Sequence, residues 1–155
     1  MEKNIRDLWQ TLITKFMPFE AALADRSDAG DDRRRELRRD ALPSRPIAQL
    51  AIVLAVTRMI NAVGKNGSKL SLNDIVDRLN ELDWKTSNPL WQNILLAGDR
   101  LVTGRTAARF AARMIGYMCG DELSEIELGA LKEQYASRFP EEQRQSIRLP
   151  PKIGL

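Results

Sequence analysis

Pro46-Ile-Ala-Gln-Leu-Ala-Ile-Val-Leu-Ala-Val-Thr-Arg-Met-Ile-Asn-Ala-Val63 is the most apolar run of this 155-residue chain. Its large side chains, Ile47, Leu50, Leu54 and Ile52, Val56, Met59, Ile60, Val63, recur at helical spacing and cover much of a helix circumference. A helix apolar nearly all round belongs inside a bundle, so this segment is expected at the centre of the core. Ser44 and Pro46 mark its start, because proline tolerates the first helical turn, and Gly64-Lys-Asn-Gly67 closes it.

The same 3.6-residue period extends in both directions. Ile5, Leu8, Trp9, Leu12, Ile13 and Phe16 form one stripe, ended or kinked at Pro18, with Phe19 to Ala24 adding another turn or two. Ser27 to Asp32 reads as loop, and residues 32–42 as a short basic helix. Ser71 opens a helix with Ile75, Val76, Leu79 and Leu82 inward, and a turn bracketed by Trp84 and Trp91 follows. A short helix through Ile94 to Ala97 ends near Gly98, and Thr103 or Thr106 can cap a helix over Ala107–Met118. Ser124-Glu-Ile-Glu127 has capping-box spacing and opens a last helix reaching about Phe139. No alternating β pattern is evident. The expectation is an all-α, single compact domain of six or seven helices over residues 1–140, with an extended or flexible tail over 141–155 carrying Pro150 and Pro151.

Composition narrows the chemistry. The chain has no histidine, the residue most used as general base and metal ligand, and a single cysteine, Cys119, so no disulfide framework or cysteine-based zinc site forms within it. Cys119 at a helix end reads as a small buried hydrophobe, with a reactive thiol as the alternative. The longest apolar stretch, Ile47 to Val56, is interrupted by Gln49 and far too short to span a membrane, and no apolar leader follows Met1. A cytoplasmic protein without cofactor or metal is expected. Gly64-Lys-Asn-Gly67-Ser68-Lys69 has a faint phosphate-loop look, but the spacing is short and no strand precedes it. With no catalytic constellation in view, an enzyme is not expected.

The net charge of +3 is unevenly spread. Residues 33–39 hold Arg33, Arg34, Arg35, Arg38 and Arg39 against Glu36, whereas 121–142 is acidic, with Asp121, Glu122, Glu125, Glu127, Glu133, Glu141 and Glu142. Arg34, Arg35, Arg38 and Arg39 share a helix face, and guanidinium forks suit phosphate because they donate two hydrogen bonds at once. The plain alternative is a solvated face paired with Asp31, Asp32, Glu36 and Asp40. Arg105, Arg109 and Arg113 form a second stripe beside Ala107, Ala108, Ala111 and Ala112. Small residues there allow close approach to a nucleic-acid backbone, or equally a close helix–helix contact. Trp84 and Trp91 could stack on bases, but tryptophans bracketing a turn more often pack into the core.

The run Leu82-Asp-Trp-Lys-Thr-Ser-Asn-Pro-Leu-Trp91, then Gly104-Arg105 ahead of a helix, resembles the C-terminal helical region of the DndB family of bacterial DNA sulfur (phosphorothioate) modification systems. Glu36-Leu-Arg-Arg-Asp-Ala-Leu42 and the apolar helix after it resemble the helix pair preceding that motif, so the likeness spans residues 5–120. It implies a DNA-associated regulator in a modification or phage-defence locus, partnered by DNA and by other proteins of the system. Trp84, Ser87, Asn88, Trp91 and Gly104 would then be the structural motif residues, and the two arginine stripes the nucleic-acid contacts. Two departures accompany the likeness. Family members carry an N-terminal α/β region with an Asp-Gly-Gln-His-Arg motif, related to ParB-like nuclease domains, and this chain looks like a helical domain detached from it. Near Gly104, where relatives carry a longer polar loop, the sequence moves straight into Ala107–Ala112. The rival expectation is a protein-interaction or homo-oligomerisation module, built on the Ala- and Leu-rich faces of residues 45–63 and 107–118 and on the opposed acidic and basic segments.

Overall fold

The computed structural model describes residues 2–23, 28–62 and 70–153, and these form a mostly helical fold. The helices are α1 (Glu2–Lys15), α2 (Met17–Leu23), α3 (Asp28–Asp40), α4 (Pro46–Asn61), α5 (Leu72–Asn80), α6 (Arg105–Met118) and α7 (Glu125–Ala136). Short 3-10 turns lie at Leu42–Ser44, Pro89–Trp91 and Glu141–Gln143. Gly64 to Lys69, with its phosphate-loop look, lies outside the described residues. Among the described residues no helix is long and apolar enough to cross a membrane.

α4 is central, and its main partner is α6. Ala48, Ala51, Ile52, Ala55, Val56 and Met59 of α4 are buried, as are Ala107, Ala108, Phe110, Ala111, Ala112, Met114 and Ile115 of α6. Alanines on both helices leave little side chain between the backbones, and burying the larger residues beside them stabilises by roughly 25 cal/mol per Å² of apolar surface. The alanines of α6 are thus used within the protein, not offered to a nucleic acid. The Ala-rich faces expected to serve an interaction module are spent in the same contact; of α4's large apolar residues only Leu50 is exposed.

α1 and α2 are one stripe broken at Phe16. Leu8, Leu12 and Phe16 are buried, while Trp9 and Ile13 sit at the edge and remain well exposed. Pro18 cannot continue the hydrogen-bond ladder, and the amide of Asn80 fills the break. Its Nδ2 donates to the Lys15 carbonyl at 2.9 Å, and its Oδ1 accepts from the Met17 N–H at 3.0 Å.

Several expected boundaries shift. α3 begins at Asp28, so Asp31 and Asp32 are helical and not loop; acids in the first turns suit the helix dipole, and each meets an arginine three residues on. Ile94 to Ala97 is not a short helix. Asn93 adopts φ 63° and Gly98 φ 60°, which breaks helical continuity and turns the chain into a hairpin, β1 (Leu96–Ala97) against β2 (Arg100–Leu101). This small sheet carries too few residues for alternation to show. Neither Thr103 nor Thr106 caps α6; its N-cap is Gly104 at φ 95°, where a residue with a Cβ would be strained, and among the described residues no side chain caps it. By contrast, Ser71 with Asp74 and Ser124 with Glu127 form complete capping boxes on α5 and α7. α7 ends at Ala136 rather than near Phe139.

The tail, expected to be extended or flexible, packs back on the bundle. Ile147, Leu149 and Ile153 lie against the core, Pro150 is buried, and the Ile153 N–H donates at 2.8 Å to the Met118 carbonyl at the end of α6. That bond satisfies one of the carbonyls a helix end leaves open.

Arginines hold the corner between α6 and α7. Gly120 adopts φ 86°, and a Cβ there would meet Arg78 Nη1 at 2.5 Å. That nitrogen donates to the Cys119 carbonyl at 2.7 Å. Arg58, from the last turn of α4, donates through Nε to Asp121 Oδ2 at 2.6 Å and through Nη2 to Glu127 Oε1 at 2.8 Å. Arg113 Nη2 donates to the Glu127 carbonyl at 3.0 Å. Beside them, burial pushes the Cys119 thiol up to about 12, with Arg78 opposing, so it stays protonated and behaves as a buried hydrophobe.

The bond from Arg58, with those from the Ser124 N–H and hydroxyl, holds the Glu127 carboxyl down at about 2. A carboxyl depressed in the folded state stabilises fully above its unfolded value, near 4.5, and loses that contribution as pH falls toward 2. Glu127→Gln keeps the capping geometry, since glutamine also serves in a capping box. Urea midpoints across that acid window are expected to fall less steeply in the variant than in the native chain. An equal slope would mean that Glu127 is not among the groups whose protonation unfolds the protein.

Candidate functional site

The connector between α3 and α4 and the Trp84 turn are laced together by backbone bonds. The Leu42 N–H donates to the Trp84 carbonyl at 2.9 Å and the Thr86 N–H to the Asp40 carbonyl at 2.8 Å, with Ala41 bridged to Lys85. This lacing depends on the turn's rigidity, which comes from its tryptophans. Trp84 and Trp91 are buried and stacked, with ring centroids 4.6 Å apart. Trp84 Nε1 donates to the Leu79 carbonyl and Trp91 Nε1 to the Asp83 carbonyl, both at 2.8 Å. Asn88 Oδ1 accepts from the Leu90 N–H and Asn88 Nδ2 donates to the Asp83 carbonyl, each at 3.0 Å. The rings are turned inward, so neither offers a face for stacking on bases.

The lacing creates a cleft of about 520 Å³ between the 39–45 segment and the hairpin, lined by Arg39, Arg45, Thr86, Ser87, Gln92, Leu96, Gly98, Asp99 and Leu101. Arg45 Nη2 approaches the Arg39 carbonyl at 3.4 Å, and Arg45 Nε is buried with no hydrogen-bond partner among the described residues. A guanidinium N–H left unpaired out of water is unfavourable, and an incoming acceptor would relieve it. Arg39 is exposed and donates through Nε to Asp40 Oδ1 at 2.9 Å; that bond keeps the Arg39 guanidinium above its ordinary pKa and the Asp40 carboxyl below its own. Thr86 and Ser87 add hydroxyls, which donate or accept as required.

The expected arginine faces divide. In the first, Arg34 pairs with Asp31, Arg35 with Asp32 at 3.5 Å and Arg39 with Asp40, while the side chains of Arg33 and Arg38 lie outside the described residues. In the second, Arg113 is half-buried and occupied with the Glu127 carbonyl, whereas Arg105 and Arg109 are exposed and no salt bridge among the described residues engages them. α6 has no acidic residue in its first turn. Of the residues singled out from the sequence, Arg39 and Ser87 meet in the cleft. Arg45, Thr86 and Asp99 were not singled out; nothing local distinguishes Arg45 from the other arginines, and only the lacing of two distant segments places it. Among the described residues no three carboxylates or thiols are grouped so as to hold a metal ion.

Comparison with protein-family models, with curated proteins and with solved structures finds no match for this chain.

Proposed function

We propose that this chain is a DNA-associated helical domain without catalysis of its own, acting as the DndB resemblance implies, in regulation of a DNA modification or phage-defence system in the cytoplasm. One observation carries the reading. Arg105 and Arg109 stand exposed, and among the described residues without salt bridges, on one face at the start of a 14-residue helix whose first turn has no acid. Guanidinium groups beside the positive end of a helix dipole favour phosphate oxygens. The ion-paired Arg34, Arg35 and Arg39 are secondary contributors, since a phosphate would have to compete with their aspartates.

Fluorescence anisotropy of a labelled duplex, titrated at low and near-physiological salt, tests this. Arg105→Ala with Arg109→Ala is expected to weaken binding to all sequences and to reduce the salt slope by about 2, because each lost phosphate contact removes about 0.9 of slope. Unchanged affinity and slope in the double variant would sink the assignment of this face.

A protein-interaction role has its own observation. Trp9, Ile13 and Met17, spaced by four residues, are 39%, 40% and 55% exposed. Exposed apolar side chains on α1, with Met17 at the start of α2, could associate two copies of the chain. Sedimentation at low and high salt separates the readings: a monomer throughout argues against self-association.

A further inference from the structure

We infer that the cleft between residues 39–45 and the 96–101 hairpin is a nucleotide-binding site, with Arg45 as the anchor for the phosphate. Three observations carry this. Arg45 lines the cleft, and its buried Nε has no hydrogen-bond partner among the described residues, so one donor of its guanidinium is unspent. Arg39, Thr86 and Ser87 line the same space and are drawn beside Arg45 by the Asp40–Thr86 and Arg39–Arg45 bonds. Two guanidinium groups with two hydroxyls form a donor set suited to phosphate oxygens. The remaining lining is of a different character. Asp99 brings an acceptor, Gln92 an amide, and Leu96 and Leu101 apolar surface.

A bare phosphate would use only the arginine side. A nucleotide would use all of it, its sugar hydroxyls or base amino group donating to Asp99 and its base lying on the leucines. The volume of about 520 Å³ is also that of a small-molecule cleft, far larger than a phosphate needs. The phosphate can belong to a free nucleotide or to a nucleotide of a nucleic-acid strand. This site is separate from the Arg105–Arg109 face, and neither reading depends on the other.

Amide NMR spectra of the full chain provide the test, with three probes: the common nucleoside 5′-monophosphates, the matching nucleosides, and a short single strand with or without a 5′-phosphate. The expected result is saturable movement of the Ser87, Gly98 and Asp99 amides with a monophosphate or a strand, and at least about tenfold weaker binding of the nucleosides. Arg45→Met, which keeps the aliphatic stem, is expected to weaken binding at least about tenfold. Should Arg45→Met fail to fold, Thr86→Val with Ser87→Ala tests the same donor set. Response to monophosphates places the source in free nucleotides; response to strands alone places it in nucleic acid. The inference is overturned if no probe gives saturable shifts up to about 10 mM, a range already weaker than ordinary recognition. It is overturned equally if nucleosides bind as well as their phosphates, or if the cleft variants bind like the native chain.

Discussion

Replacing Arg58 by methionine is expected to lower the unfolding free energy by about 3 kcal/mol, the smaller end of the cost of breaking a buried ion pair. Asp121 is only 3% exposed, and its Oδ2 receives the Arg58 Nε at 2.6 Å. Methionine fills much of the same volume but leaves that carboxylate buried and uncompensated. The loss stays at the lower end because the Arg58 side chain itself is 36% exposed, so water can reach part of the gap. Against a typical total of roughly 5–15 kcal/mol, the variant should still fold but unfold at clearly lower urea. Arg58→Met combined with Asp121→Asn should recover part of the loss, since neither charge then remains to be desolvated. A single variant within about 0.5 kcal/mol of the native chain, the scatter of an ordinary surface change, would mean that Asp121 is solvated without its partner.

Trp91→Ala is expected to cost still more, about 3–5 kcal/mol, as for other large-to-small changes in a packed core. Trp91 has no exposed surface, stacks on Trp84 at 4.6 Å, and Trp84 in turn meets Phe16 edge-on at 5.7 Å. The substitution would open a cavity beside the Trp84 ring and strip the Asp83 carbonyl of its indole donor. Trp91→Phe keeps a ring but not that donor, so it should fall between alanine and the native residue. Chemical denaturation of both, followed by far-ultraviolet dichroism of the helices, reads the effect. A Trp91→Ala variant as stable as the native chain would show that the turn is held by its backbone bonds alone. Loss of the turn would also dismantle the cleft, because Thr86 and Ser87 sit within it.

The all-α architecture was legible because helical periodicity is a local property. Leu8, Leu12 and Phe16 repeat at four-residue spacing, and the Ser71 and Ser124 caps are read from three or four neighbouring residues. The misplaced boundaries have local causes too weak to read. The 93–101 hairpin depends on positive φ at Asn93 and Gly98, and asparagine and glycine permit that conformation without requiring it. The start of α3 was hidden because Ser27-Asp-Ala-Gly favours a turn by composition, while the Asp–Arg pairs that support the helix appear only once it forms.

The candidate sites divide along the same line. That Arg105, Arg109 and Arg113 share a stripe follows from spacing alone; that Arg113 is taken up by the Glu127 carbonyl, leaving two exposed, follows from how α7 folds back. Periodicity and composition by themselves determined the helices, the absence of histidine chemistry and the central place of residues 46–61, because each is a property of neighbours along the chain. Which arginines are spent on the protein itself, and that Arg45 lines one cleft with Thr86 and Ser87, was decided only by tertiary structure. Those partners lie some 40 or more residues apart, and no local pattern specifies a contact whose geometry depends on everything packed between them.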